Sequence, residues 1–515
     1  MNNQLVLKNI YFGKVDAKNE LLENTPEQRE NFVKTFLLPE HFNIEAFQQG
    51  RKYFIYGLKG TGKTAFLRYL GIEFEDRRNS CVSFVLFKNE FGEDDKQDFS
   101  KAANVFLTQS QFENFEAEQD FEQVWKWFFF RHIVEYCDKH DVQLFEHEDN
   151  WYKFKKHVMA LKIDQTKTGL SKYIPKIKKG EVELDISAGK VGLDFEFGDH
   201  PKVKFSQIVK IVEKYFYDLV PVGKKLYILI DELELTYQTT RAYGRDARLI
   251  RDLIIVTNKL NTICRAKHYP IFFISSVRSE VLTAIAATGK EINKIIEDFG
   301  MLISWHQAGG DIRSHPIIEI IIKRLHRAEE RHGKKLNSAE IWAKYFPELI
   351  QGKNPENYIL NNTWYRPRDV VRLLGLAQDI FPNETSIGHK VFDGIRKQYS
   401  SKSWGESLEE LRATYKQTEL DALYRVLCGW KKNFIYEDIL SRINAMSKED
   451  QDIEAIRKRG IPKLLHELYH TGIIGNRYDE NGKTRFRFIF RGDEHLLIEK
   501  GMKIHNALGP HLSIW

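Results

Sequence analysis

Gly57-Leu58-Lys59-Gly60-Thr61-Gly62-Lys63-Thr64 matches the pattern GxxxxGK[ST] at every fixed position. The apolar run KYFIY (52–56) precedes it and AFLRYLGIEF (65–74) follows, so the loop joins an expected strand to an expected helix. Glycines there let successive N–H groups point inward, which makes an anion nest at a helix N-terminus. Lys63 is placed to reach the β- and γ-phosphates of a nucleotide, and the Thr64 hydroxyl to ligate Mg²⁺. Gly57, Lys59, Gly60, Thr61, Gly62, Lys63, Thr64 and Ala65 are therefore the candidate nucleotide contacts. A chance glycine-rich turn of this pattern arises in on the order of a few per cent of chains this long. The strand–loop–helix setting argues against chance.

Further along the chain, CVSFVLF (81–87), LYILI (226–230), IFFIS (271–275) and MLISW (301–305) are strand-sized apolar runs. Helical patterns such as SQIVKIVEKYFYDLV and DARLIRDLIIVTNKLNTIC separate them. Strands alternating with helices predict an α/β fold with a mostly parallel sheet covered on both faces. Asp231 and Glu232 end the LYILI strand. Beside a phosphate loop, such a pair supplies an acid for the Mg²⁺ shell (Asp231) and one that polarises the attacking water (Glu232). Without the loop, two acids after a strand would mean little.

Two later stretches extend the pattern. IFFISSVR ends with Ser275, Ser276 and Arg278, and RPRDVVRLL (366–374) opens a helix. The first is similar to the polar sensor after the fourth strand of AAA+ and STAND ATPases, and Arg278 resembles the γ-phosphate-reading arginine of the NB-ARC-like branch. The second resembles the second sensor in the lid of origin-recognition-type AAA+ ATPases, with Arg368 as the sensor and Arg366 as the alternative. Taken singly, each arginine reads better as a surface or ion-pairing residue; their order after both motifs favours the sensor reading for Arg278 and Arg368. The chain also resembles prokaryotic FunZ-like P-loop ATPases. These resemblances cover about 1–90, 200–400 and the tail. They imply ATP and Mg²⁺ as cofactors, hydrolysis used as a conformational switch, and regulatory or anti-phage defence work that licenses an effector protein encoded nearby. A DNA-gripping initiator or loader is the rival, and a nucleotide-dependent scaffold without turnover is a third reading.

The expected organisation is a P-loop core over 1–310, interrupted by an insertion of about 90–200, then a helical lid over 311–400 and a winged helix over 401–515. In the tail, TELDALYRVLCGW, YEDILSRINAM and IPKLLHELYHTG read as three helices, and Asn481-Gly482 as a hairpin turn. The insertion starts helical and aromatic (FEQVWKWFFFRHIVEYC) and ends in an expected hairpin at Ala188-Gly189-Lys190.

The 515 residues suffice for roughly two to four domains. Apolar residues at 42% and charged residues at 29% suit a soluble globular protein. Cys81, Cys137, Cys264 and Cys428 lie far apart and form no CxxC pair, so neither a zinc site nor a disulfide framework is expected. The N-terminus lacks a signal-peptide pattern, and the apolar runs are too short for a bilayer, so a cytoplasmic location without membrane partners is expected.

A net charge of +6 does not announce a nucleic-acid binder, so its distribution decides. Residues 153–179 carry nine lysines against Asp164, with Tyr152, Phe154 and Tyr173 interleaved. This Lys-rich insert suits a phosphate backbone or, equally, a solvated loop. Arg457, Lys458, Arg459 and Lys463 near the third tail helix, with Arg477, Lys483, Arg485, Arg487 and Arg491 on the wing, suit nucleic acid or protein docking. A homo-oligomer is expected, with Arg241, Arg245, Arg248 or Arg251 reaching a neighbour's nucleotide or forming a charged helix surface.

Overall fold

A computed structural model describes residues 5–39, 41–87, 96, 121–161, 177–178, 181–183, 202–235, 240–286, 290–307, 311–412, 414–480, 482–493 and 495–514. The chain forms two compact units. One comprises His41–Gly57 and Lys63–Leu302, the other Met1–Glu40, Leu58–Gly62 and Ile303–Trp515. We call them the sheet unit and the helical unit. No helix among the described residues is long and apolar enough to cross a membrane.

The strands of the sheet unit are β1 (Phe54–Gly57), β2 (Cys81–Leu86), β3 (Ile177–Lys178), β4 (Glu181–Glu183), β5 (Lys202–Lys204), β6 (Leu226–Leu233), β7 (Ile271–Arg278) and β8 (Gly300–Leu302). Five of them pair parallel in the order β2-β6-β7-β1-β8. Leu226 to Ile230 are all fully buried, as a central parallel strand covered on both faces requires. The MLISW run contributes only through Leu302, where β8 ends.

Within the expected insertion, FEQVWKWFFFRHIVEYC folds as the helix Glu122–His140, closed by a left-handed Asp141. Its nearly all-round apolar sequence makes it a buried helix. Trp125 donates its indole N–H to the Leu249 carbonyl at 2.9 Å, and Phe129 meets Phe273 of β7 edge-on at 4.9 Å. Part of the insertion is thus core of the sheet unit. The strands β3, β4 and β5 form a small antiparallel sheet. The turn at Ala188-Gly189-Lys190 lies outside the described residues.

In the helical unit, Pro316–Arg331, Ser338–Tyr345, Pro355–Asn362, Pro367–Ile380 and His389–Leu411 form a run of helices. The tail adds Gln417–Leu427, β9 (Asn433–Phe434), Tyr436–Met446, Gln451–Arg459, Ile461–His470, β10 (Ile474–Glu480), β11 (Lys483–Arg487) and β12 (Gly501–Ile504). Among the described residues four helices thus precede β10 in the tail, where the sequence suggested three, and a short fifth, Gly509–Leu512, follows β12. Its antiparallel sheet runs β11-β10-β12-β9, so β12 is inserted between β9 and the expected β10–β11 hairpin.

One side chain ties this tail to the helices before it. Trp364 is fully buried, donates its indole N–H to the Gly472 carbonyl at 2.8 Å and stacks on His505 at 3.9 Å. Tyr365 stacks against Phe490 at 6.0 Å and lies under the Arg491 guanidinium. Both residues are left-handed, with φ of 46° and 52°. Such conformations cost about 1 kcal/mol or more each and persist where packing over-determines them.

Candidate functional site

β1 delivers Gly57 to the carboxyl edge of the parallel sheet, where it stands in register with Arg278 of β7. That edge is where open α/β sheets place their ligands. Lys63, the first residue of helix Lys63–Ile72, turns its ammonium back and donates to the Gly57 carbonyl at 2.9 Å. Thr64 and Ala65 follow it, both half-buried.

On the neighbouring strand the register slips. Ile230 pairs with Ser275 and Leu233 with Val277, so Asp231 and Glu232 together oppose Ser276. This is a β-bulge, a device that re-aims side chains next to functional sites. Glu232 within it has φ of 62°, in the left-handed region that glutamate seldom enters. Asp231 is 4% exposed and accepts a hydrogen bond from the Ser276 hydroxyl. Ser275 Oγ is buried and has no hydrogen-bond partner among the described residues. Arg278 pairs with Glu234 and, at 3.9 Å, with Glu280. Thr64 and Asp231 carry hard oxygens, the donor type that a small divalent cation such as Mg²⁺ takes.

The middle of the loop, 58–62, packs within the helical unit. Gly60 and Gly62 take φ of 84° and 95°, which glycine alone adopts at little cost. Trp305 donates its indole N–H to the Thr61 carbonyl at 2.8 Å. The expected second sensor arrives here too. Arg368 N–H donates to the Gly60 carbonyl at 3.4 Å, and the Arg366 guanidinium to the Lys59 carbonyl at 3.2 Å. Pro367 at the first turn fixes this helix start.

The Lys59 ammonium is held by acids of helix His389–Leu411, at 3.1 Å from Glu406, 3.3 Å from Glu409 and 3.9 Å from Glu410. Glu406 also binds Arg368 at 2.8 Å and Arg372 at 2.5 Å. Asp369 holds Arg366 and Arg372, each at 2.8 Å. Burial opposes ionisation of Glu406, yet Lys59, Arg368 and Arg372 outweigh it and hold its carboxyl down to about 2. Sequence reasoning passed over Glu406. The signal was available: Glu406, Glu409 and Glu410 share one helical face, a natural counterpart to Arg366, Arg368 and Arg372.

A carboxyl whose pKa is lowered by folding stabilises the fold above its ordinary value near 4.5, and that contribution disappears as pH falls towards 2. Glu406→Gln is therefore expected to lower the thermal midpoint at pH 7 and to flatten the acid-side loss between those limits. Thermal unfolding from pH 2 to 7 measures it; a midpoint unchanged at pH 7 would count against the network.

The other basic residues are largely spoken for. Lys153 and Lys155 of the Lys-rich insert pair with Asp149 and Asp138. Lys162, Lys167, Lys172 and Lys176 lie outside the described residues. In the tail, Arg457 and Lys458 pair with Glu454, and Arg459 with Glu419. They close their own helix, Gln451–Arg459, and do not open the next. Of the arginines after β6, Arg245 and Arg251 are buried against Asp246 and Asp252, which removes Arg251 from the exposed face expected of it. Arg248 is half-buried, and nothing described accepts a bond from its Nε.

The chain is 22% identical over 313 residues to the transposon gamma-delta 80.3 kDa protein of Escherichia coli (strain K12). The match covers 56% of this chain and 41% of that protein, so the chain spans about two fifths of the relative's length. Residues 315–406, which contain Arg366, Arg368, Arg372 and Glu406, match the FunZ-associated C-terminal helical domain.

Proposed function

We propose that this chain is an ATP-hydrolysing molecular switch of the AAA+/STAND type, with a P-loop core, a lid over 311–400 and a winged-helix-like tail. The observation that carries the reading is one sheet edge. There β1 ends in the GxxxxGK[ST] loop, Lys63 caps the Gly57 carbonyl, and the bulged Asp231-Glu232 pair meets Ser276 of β7. In this reading Lys63 binds the β- and γ-phosphates, and Thr64 and Asp231 hold Mg²⁺. When bound, Mg²⁺ supplies charge neutralisation at the phosphates. Glu232 orients the attacking water and accepts its proton. Arg278, released from Glu234, meets the charge that develops on the γ-phosphate.

Arg366 and Arg368 follow the loop through Gly60 and Lys59, so a change in the loop is passed to helix 367–380 and, through Glu406, to helix 389–411. In this reading the lid, which includes the helices similar to a FunZ-associated domain, licenses a separate effector in regulatory or defence work. Release of phosphate from ATP and Mg²⁺ by the purified chain tests the reading. No release above background in the wild type would reduce it to a nucleotide-binding scaffold.

In such switches a neighbouring subunit supplies an arginine to the γ-phosphate. Arg248 is the candidate that its burial and pairing leave standing, the Arg241 side chain being outside the described residues. The rate per subunit is expected to rise with protein concentration, and Arg248→Ala to abolish that rise without changing ATP affinity. A concentration-independent rate, unchanged in Arg248→Ala, would exclude this role. The transposon name of the relative favours a second reading, a loader that grips duplex DNA. The internal pairing of Arg457, Lys458 and Arg459 speaks against the third tail helix as its gripping surface.

A further inference from the structure

The structure assigns a second oxyanion site, in the helical unit, to His306, His315, Tyr365 and Arg491, and we propose that it holds the phosphate group of a small molecule. Tyr365 is the neighbour that the other three share. The His315 ring meets its ring edge-on at 5.2 Å, and the His306 ring does so at 6.2 Å. The Arg491 guanidinium lies 4.8 Å over the same ring and donates to the tyrosine hydroxyl at 3.1 Å. His315 is 5% exposed, whereas His306, Tyr365 and Arg491 are half-buried, so the group reaches from the interior to solvent.

Three of these side chains have a hydrogen left to donate. The main chain settles the tautomer of His315: Ile317 N–H donates to its Nδ1 at 3.2 Å, so the ring hydrogen sits on Nε2. That Nε2 is buried and has no hydrogen-bond partner among the described residues. Burial, His306 and Arg491 hold His315 down to about 4, so near neutral pH it stays an uncharged donor. Arg491 uses Nη1 on the Phe486 carbonyl at 3.3 Å and Nη2 on Tyr365 and Asn361, while its Nε is buried without a partner. Tyr365 accepts from Arg491, which leaves its own hydroxyl hydrogen to donate. The Nδ1 of His306 is buried and unpartnered as well. A buried donor without an acceptor is costly, and two of them beside one tyrosine call for an acceptor that both can reach.

Charge gives the sign of the occupant. Other arginines of the tail have carboxylate partners: Arg425 with Asp450, Arg477 with Asp479, and Arg487 with Asp493. Arg491 forms no ion pair among the described residues. Asp493, an acid that acts on His306, is the one that Arg487 holds at 3.6 Å. The guanidinium of Arg491 is thus a half-buried positive charge without a counter-charge of its own, and an anion would supply it.

The number of donors gives its kind. Guanidinium, imidazole and phenol hydrogens approach Tyr365 from separate side chains, and a phosphate group has more acceptor oxygens to meet them than a carboxylate has. The burial of His315 limits the occupant to something small. Trp364 and Tyr365 are consecutive left-handed residues, with φ of 46° and 52°, a strain of the kind that clusters at ligand clamps. The site uses no residue of the glycine-rich loop and requires no nucleotide, so it can fail separately from the ATPase reading.

The experiment titrates the full chain, without ATP, with inorganic phosphate at neutral pH by calorimetry. It is run in wild type and in Lys63→Ala, which removes the lysine that would hold phosphate at the glycine-rich loop. Binding is expected to persist in Lys63→Ala. In that background His315→Asn keeps an oxygen to cap Ile317 N–H but has no Nε2, and it is expected to weaken phosphate binding about tenfold or more. Tyr365→Phe keeps the ring and its packing, loses the hydroxyl, and is expected to act in the same direction with a thermal midpoint near that of its parent. Glycerol phosphate is the second probe: tighter binding than inorganic phosphate would identify an esterified ligand, and the reverse order the free ion. Absence of phosphate binding in Lys63→Ala would overturn the proposal and leave these donors to water. An unchanged affinity in both His315→Asn and Tyr365→Phe would overturn it too, as would tighter binding of acetate than of phosphate.

Discussion

Lys63→Ala is expected to abolish tight ATP binding while leaving the sheet unit folded. The ammonium now bonds the Gly57 carbonyl and Lys63 is 9% exposed, so in the nucleotide complex it would meet the phosphates with little water between them. Removing one partner of a buried charge pair costs about 3–5 kcal/mol. That corresponds to roughly a hundred- to several-thousandfold in affinity. The Gly57 carbonyl would still be served by water, and alanine is a good helix former at this first position, so the fold loses little. Calorimetric titration with ATP and Mg²⁺, beside a thermal melt of each protein, measures both quantities. An affinity within threefold of wild type would remove the phosphate role from Lys63, and with it the reading of the whole loop.

Glu232→Gln is expected to bind ATP about as well as wild type and to turn over about 10²- to 10⁴-fold more slowly, the usual contribution of a positioned general base. The amide keeps the size and the hydrogen-bonding reach of the carboxylate but cannot take a proton from water. Glu232 is left-handed at a bulge, a strained arrangement of the kind that clusters at functional sites. Single-turnover phosphate release, with binding measured separately, splits the two effects. Equal rates in wild type and variant would identify Asp231 or a scaffold role as the better account.

The elements legible from sequence were those set by local rules. LYILI and IFFIS are apolar without alternation, and they fold as adjacent central strands. RPRDVVRLL marked a helix start, and the glycines of 57–64 marked an anion nest, in which Gly60 and Gly62 take positive φ. Contacts between distant segments were not legible. Nothing local tells that Lys59 meets Glu406, or that β12 enters the sheet between β9 and β10. The bulge at Glu232 was hidden because glutamate carries no preference for the left-handed region. The Arg251 burial was hidden because its counter-charge, Asp252, is simply the next residue. The helix Glu122–His140 looked like inserted matter, since spacing between motifs says nothing about packing against β7.

Trp364 changes what the tail is. Its indole sits against Gly472 and His505, and a Cβ on Gly472 would come within 3.0 Å of it. Arg366, two residues on, touches the glycine-rich loop. A tail built this way cannot be exchanged between relatives as a free-standing cassette. Any substitute must bring its own glycine-floored slot for the tryptophan, or the arginine loses its footing. Whatever molecule docks on the tail and shifts that slot tugs on the loop through two residues of main chain. The tail's outer surface is therefore free to vary, provided the slot beneath stays fixed.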